Sequence, residues 1–218
     1  HRDLHSFPTR RSSDLMTIQF LNIRLLSLII VIFFLASCQN GKKQETQHNG
    51  ETTHDELMER ITELYNSRKY VEFIKLAENE LKNSENDFGF YLALSDAYGN
   101  LGDWDKAFYY AEKLLDKEPS NYYALFAIAN YNLILEKLDS AEFYYKKVLT
   151  INPNYARANL NLAELYTKQD HKAKAVEQYL KAIELFRDNN FNDEVIHYSN
   201  EILKLDPDNK MAKEYLVK

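Results

Sequence analysis

The chain has 218 residues, with 27 Lys+Arg against 33 Asp+Glu and a formal net charge of −6. An acid excess repels phosphate backbones, which argues against a nucleic-acid partner. One cysteine rules out an internal disulfide framework, and five glycines with four prolines argue against disordered and turn-rich β classes.

Residues 1–15 read HRDLHSFPTRRSSDL and do not begin with Met. The string Ser6–Leu15 resembles a translated sequencing adapter, and residues 1–15 are expected to be an artefact. Arg10-Arg11 is followed by Ser12, Ser13 and Asp14, not by the residues of a twin-arginine export signal. From Met16 the chain has the form of a secretory leader, MTIQFLNIR followed by the uncharged LLSLIIVIFFLA of residues 25–36. Twelve residues of helix reach about 18 Å, short of the ~30 Å hydrocarbon core of a bilayer.

The leader ends in Leu35-Ala36-Ser37-Cys38, which resembles the lipobox of bacterial lipoproteins. That resemblance implies a signal peptide over residues 16–37 and cleavage before Cys38. It also implies diacylglycerol on the Cys38 thiol, with a further acyl chain on its amine. More than one chain is what stable anchoring needs. Removing residues 1–37 takes away four basic and two acidic residues, leaving a mature acid excess of eight. Such a chain gains nothing from anionic lipid, so the acyl group is the expected membrane signal. No other cofactor is expected.

Gln39–Thr53, QNGKKQETQHNGETT, holds no large apolar residue and cannot offset its ordering entropy. Residues 38–53 therefore read as a lipidated cysteine and flexible tether, spanning about 21 Å root-mean-square. Gln39 is not the aspartate that retains lipoproteins in the inner membrane of enteric bacteria. The expected location is the bacterial cell envelope, at the outer membrane.

One interval governs residues 54–218. Pro119 and Pro153 lie 34 residues apart, as do Ala107, Ala141 and Ala175, and Leu81, Leu115, Leu149 and Ile183. Tyr70, Trp104, Leu138 and Lys172 form another column, and Ser95, Ala129 and Ala163 another. The unit YLALSDAYGNLGDWDKAFYYAEKLLDKEPSN, residues 91–121, resembles the tetratricopeptide repeat, as do the two units after it. The resemblance implies an all-α solenoid of antiparallel helix pairs, about four repeats plus a partial C-terminal unit.

Each column has a mechanical reading. Ser95 with Ala107, Ala129 with Ala141 and Ala163 with Ala175 are small enough to let paired helices close. Tyr98, Tyr145, Tyr166 and Tyr179 fill the space between successive helices. Gly102 can take the left-handed conformation that ends a helix, and Asp103 or Asp105 can cap the next. Pro119 and Pro153 belong in turns. In the first unit Ile61 and Phe73 replace the small residues, so that pair is expected to be spread. Pro207 follows Pro153 by 54 residues, one repeat plus 20. FNDEVIHYSNEILKLDPDN therefore reads as a second helix without its own first; the helix from Lys172 to Arg187 is expected to serve both neighbours, and Asp208–Val217 to cap the stack.

No enzyme constellation is present in the sequence. His171 and His197 have neither Cys nor H-E-x-x-H spacing beside them, and no Gly-rich phosphate loop occurs. The lysine runs read as solvated faces. In a curved stack the first helices line the concave side. Projected there, the repeat places Leu92 and Asp96; Tyr123, Phe126 and Asn130; and Arg157, Leu160 and Glu164, with Leu92, Phe126 and Leu160 reading equally well as core between repeats. This apolar wall with an acidic margin lacks the lysine-rich clamp by which some relatives hold a C-terminal carboxylate. It suits an amphipathic helix or an extended segment with apolar anchors, and Tyr109, Tyr110 and Tyr122 extend it. The expected function is a non-enzymatic, membrane-anchored adaptor for a protein partner of the cell envelope. The alternative is a lipoprotein capturing glycan or peptide for outer-membrane uptake, although short loops leave no insertion to build such a site.

Overall fold

The computed structural model describes residues 54–83 and 88–217. Cys38, its lipobox and the tether lie outside the described residues. Two compact units divide at Lys69 and Tyr70. Among the described residues there are helices and no strands, and no helix is long and apolar enough to cross a membrane.

The first unit contributes α1 (His54–Asn66), whose Met58, Ile61, Leu64 and Tyr65 are buried along one stripe at helical spacing. The second contains α2 (Tyr70–Asn83), α3 (Phe88–Leu101), α4 (Trp104–Lys117), α5 (Tyr122–Ile134) and α6 (Leu138–Ile151). It continues with α7 (Ala156–Lys168), α8 (Lys172–Asp188), α9 (Asn192–Leu205) and α10 (Lys210–Tyr215). Within it α3 pairs with α4, α5 with α6 and α7 with α8, and each pair packs on the next. The small-residue columns sit at these contacts: Ser95, Ala107, Ala129, Ala141, Ala163 and Ala175 are all 0% exposed. Ser95 Oγ donates to the carbonyl of Ala107 at 2.8 Å, tying the α3–α4 pair through the small residue itself.

The turns carry the period as clearly as the helices do. Arg68, Gly102, Glu136 and Asp170, spaced at 34, all have φ between 57° and 78°. In each, two backbone bonds close the helix end; Lys137 N donates to Asn132 O at 2.8 Å and Glu136 N to Leu133 O at 3.1 Å. These are Schellman closures, in which one residue must be left-handed. Gly102 meets that demand without strain, as expected, whereas Arg68, Glu136 and Asp170 meet it against the steric preference of an L side chain. Asp103, not Asp105, caps α4 through the Lys106 amide. The same closure recurs at Asn190 (φ 62°), where Phe191 N donates to Phe186 O at 3.0 Å.

That fifth closure explains the break in period. At 17 residues α8 is longer than its neighbours, and it packs against both α7 and α9. It is the second helix of one pair and, by its C-terminal turn, the first of the next. The expectation of a shared helix is met, and α10 packs on α9.

Aromatic rings hold one pair against the next. Tyr98 and Tyr110 stack at 5.6 Å and both donate to Glu78 Oε1 on α2, at 2.6 and 2.8 Å. Tyr166 of α7 likewise donates to Glu142 of α6 at 2.8 Å; the Lys146 ammonium bonded to that carboxylate holds it below its usual range. Between α3 and α5 the contact is closer still: a Cβ at Gly99 would stand 2.9 Å from Tyr131 Cε1. Trp104, Phe108 and Ser95 hold that ring in place.

Two substitutions test these contacts by urea denaturation. Glu136→Gly, at an exposed turn, is expected to stabilise by about 1 kcal/mol; no gain would mean the left-handed residue is not strained. Gly99→Ala is expected to destabilise by roughly 1–3 kcal/mol because the held Tyr131 ring must shift, and an unchanged midpoint would contradict that packing.

Candidate functional site

The first helices of the central pairs, α3, α5 and α7, supply the inner wall, with α3 packed directly on α5. The residues expected to line it do not share one environment. Leu92, Phe126 and Leu160 are 8%, 0% and 2% exposed, so the apolar anchors expected at the surface are core residues. The reason is visible at Phe126: Tyr155 from the next pair meets its ring edge-on at 5.0 Å, and Tyr145 covers it at 5.8 Å. Asp96 is also buried and accepts from Asn100 Nδ2. Tyr123, Asn130, Arg157 and Glu164 are partly exposed and remain as wall residues.

Asn130 belongs to a network joining three helices. Its Oδ1 accepts from Tyr145 Oη of α6 at 2.7 Å and from Asn161 Nδ2 of α7 at 2.8 Å. Asn161 Nδ2 also lies 3.1 Å from Tyr145 Oη. A buried network whose members satisfy one another fixes the wall before any ligand arrives. At the start of α5 and α7, Tyr122, Tyr123 and Tyr155 pack together, with Tyr122 and Tyr155 edge to face at 5.4 Å. Tyr155 Oη and Arg157 Nη1 are both buried there beside each other, with no well-formed hydrogen bond among the described residues. Burial pushes the Tyr155 phenol up to about 12, while the neighbouring Arg157 pulls it down.

Two turns further along α7, Glu164 has neither a hydrogen bond nor an ion pair among the described residues. Burial of its carboxyl pushes it up to about 7; Lys168 opposes that rise and Glu201 of α9 reinforces it. Burial also raises Tyr198 of α9, with Glu164, Glu194 and Glu201 adding to the shift and Arg157 opposing it; its ring stacks on Tyr179 of α8 at 5.8 Å. Tyr198, Glu194 and Glu201 were not among the expected site residues. Their signal is the 20-residue remainder in the period: added to one repeat, it carries Tyr144 onto Tyr198.

The arrangement offers polar groups for recognition. Among the described residues no group of three or more His, Cys, Asp or Glu could hold a metal ion, and His171 and His197 are exposed. A shallow depression lined by Tyr109, Glu112, Lys113, Leu115 and Asp116 lies on α4, a second helix of its pair and not one of those forming the inner wall.

The raised Glu164 carboxyl sets a pH dependence of stability. Its contribution is fully present below its ordinary value of 4.5 and is lost as pH rises through about 7. The loss is on the order of 3 kcal/mol before solvent screening. Glu164→Gln is therefore expected to raise urea stability by about 1–3 kcal/mol at pH 8 and to change it little at pH 5. Equal effects at both pH values would contradict the burial.

Residues 133–193 match the family described as tetratricopeptide repeat. Over 132 residues the chain is 25% identical to the anaphase-promoting complex subunit CDC16 of Saccharomyces cerevisiae, covering 61% of this chain and 16% of that relative. The fold is similar to that of MamA from Desulfovibrio magneticus RS-1 (TM-score 0.59, 20% identity, 74% of this chain and 89% of that one). It is also similar to TTC0263, a tetratricopeptide protein of Thermus thermophilus (TM-score 0.53, 17% identity, 76% and 97%). Small-residue columns, left-handed turns and the matched segment converge: residues 133–193 belong to the tetratricopeptide repeat family, and the described helices share the fold of tetratricopeptide solenoids.

Proposed function

We propose that the protein is a membrane-anchored adaptor, fixed by diacylglycerol on Cys38, that receives a segment of another envelope protein along the inner wall of α5 and α7. A tetratricopeptide fold supports protein–protein interaction. The observation that carries the reading is a wall already fixed by its own network yet bearing buried polar atoms, Tyr155 Oη and Arg157 Nη1, that lie beside each other with no well-formed hydrogen bond among the described residues. Unsatisfied buried groups cost free energy, and a ligand that satisfies them recovers part of it.

The lipobox-like LASC supports the anchor, and the polar run after it supports a tether that keeps the helical units clear of the bilayer. Anchoring raises local concentration at the membrane, while a preformed wall limits the entropy lost on binding. The relative CDC16 is by its name a subunit of a larger complex, which accords with an assembly role.

Two measurements on the full chain test this. Cys38→Ser is expected to abolish acyl labelling and shift the protein out of the membrane fraction; retention there would remove the anchor. A photocrosslinker replacing Tyr123 is expected to give a discrete protein adduct in native envelopes, where one replacing the exposed Tyr109 on α4 does not. Adducts at both positions or at neither would reject the wall as the binding face.

A further inference from the structure

We infer that the outer face formed by α4 and α6 rests on the surface of a phospholipid bilayer, with the rings of Tyr109 and Phe143 at the boundary between headgroups and acyl chains. The inference rests on the anchored reading of the chain and adds the side of the protein that meets the lipid.

Two consecutive repeats build the same exposed unit. Tyr109 of α4 and Phe143 of α6 lie 34 residues apart and are 52% and 54% exposed. Each is held edge-on by the ring that follows it, Tyr109 by Tyr110 at 5.1 Å and 80°, and Phe143 by Tyr144 at 5.3 Å and 79°. Each carries a lysine one turn on: Lys113 Nζ stands 5.7 Å from the Tyr109 ring centre and Lys147 Nζ 4.6 Å from that of Phe143. The same register and ring geometry, repeated on two helices that both pack against α5, put the rings on one face. Lys75 and Glu177 hold this column in the neighbouring repeats, so packing does not require a ring there and the aromatic stretch is confined to α4 and α6.

The chemistry of the unit names its occupant. A ring beneath an ammonium on an alkyl stem is amphiphilic: ring and methylenes suit the acyl boundary, while the ammonium reaches the phosphates. Charge agrees. α4 carries three acids and three lysines and α6 two of each, so these helices are neutral on a chain whose mature acid excess is eight. The shallow depression beside Tyr109 holds both signs, lined by Glu112, Lys113 and Asp116 with Leu115. Lys113 and Asp116 pair there at 3.7 Å, both well exposed, and such a pair is readily exchanged. That suits a headgroup bearing both an ammonium and a phosphate. Two copies meeting through this face would instead set lysine-covered rings against lysine-covered rings.

Two half-exposed rings do not hold a protein on a membrane by themselves. They act here because acyl chains on Cys38 already confine the chain near the bilayer, where a weak contact has a high effective concentration. The consequence is orientation. With lipid on the outer side of α4 and α6, the inner wall of α5 and α7 turns away from the bilayer and toward the partner.

The test places a photocrosslinking residue in the full, acylated chain in native envelopes and scores phospholipid adducts by mass. The crosslinker replacing Phe143 is expected to give several-fold more lipid adduct than one replacing Tyr123 on the inner wall. With the crosslinker at the exposed Thr150, two turns along α6, the double variant Tyr109→Ser/Phe143→Ser is expected to cut lipid adducts several-fold. Helicity and the amount of protein in the membrane fraction should stay unchanged. Equal lipid adducts at 143 and 123, none at 143, a homodimer or other protein adduct at 143, or an unaffected signal at 150 would each overturn the lipid face. Acyl label on Cys38 is scored in the same sample. A labelled chain without adducts at 143 rejects the face and leaves the anchor standing, whereas an unlabelled chain rejects the anchored reading and this face with it.

Discussion

Packing within each central helix pair depends on how closely two backbones can approach. Ser95 bonds to Ala107, and Ala129, Ala141, Ala163 and Ala175 in the equivalent columns are likewise without exposure. Any larger side chain would hold the helices apart, and the aromatic rings that bridge one pair to the next would lose their register. With the pairs closed, Tyr98 and Tyr110 can share Glu78, and Tyr166 can reach Glu142. No hairpin buries its own apolar face, so stability accumulates by stacking. The small columns set the geometry and the aromatic rings supply much of the buried area.

The same constraint accounts for the one departure from strict repetition. A 34-residue unit supplies one first helix and one second helix, whereas the last stretch adds only 20 residues. The chain accommodates the deficit by lengthening α8 to 17 residues and packing it on both sides. A shared helix must be apolar over a wider arc than a paired one. Accordingly Tyr179, Ala182 and Ile183 are buried in a core that also takes in Leu180 and Phe186. This brings Tyr198 of α9 onto the Tyr179 ring of α8.

Much of this architecture could be read from the residues, because small, aromatic and proline columns report backbone geometry directly. The left-handed turns could be read only at Gly102. Arg68, Glu136 and Asp170 hold the same conformation with side chains that carry no sign of it, since the two closing backbone bonds override local preference. Of the residues projected onto the wall, Tyr123, Asn130, Arg157 and Glu164 are partly exposed, whereas Asp96, Leu92, Phe126 and Leu160 are buried. A single-repeat projection places Leu92, Phe126 and Leu160 on the inner face, but it contains nothing of the neighbouring pair. Tyr155 buries Phe126 from outside that repeat. Whether a side chain on a periodic face is surface or core depends on what stacks upon it.

That burial changes the recognition expected of the wall. An apolar groove would select partners mainly by shape and hydrophobicity. With its apolar residues committed to the core, the wall instead presents Tyr123, Asn130, Arg157 and Glu164 on a backbone fixed by the Asn130–Tyr145–Asn161 network. Polar groups held in place discriminate by leaving a wrong ligand unpaired, and an unpaired buried group is costly. Arg157 near the start of α7 and Glu164 two turns on also give the wall a direction. Under the proposed adaptor role, a segment running along α7 would meet Arg157 first and Glu164 second, so its two orientations would not be equivalent.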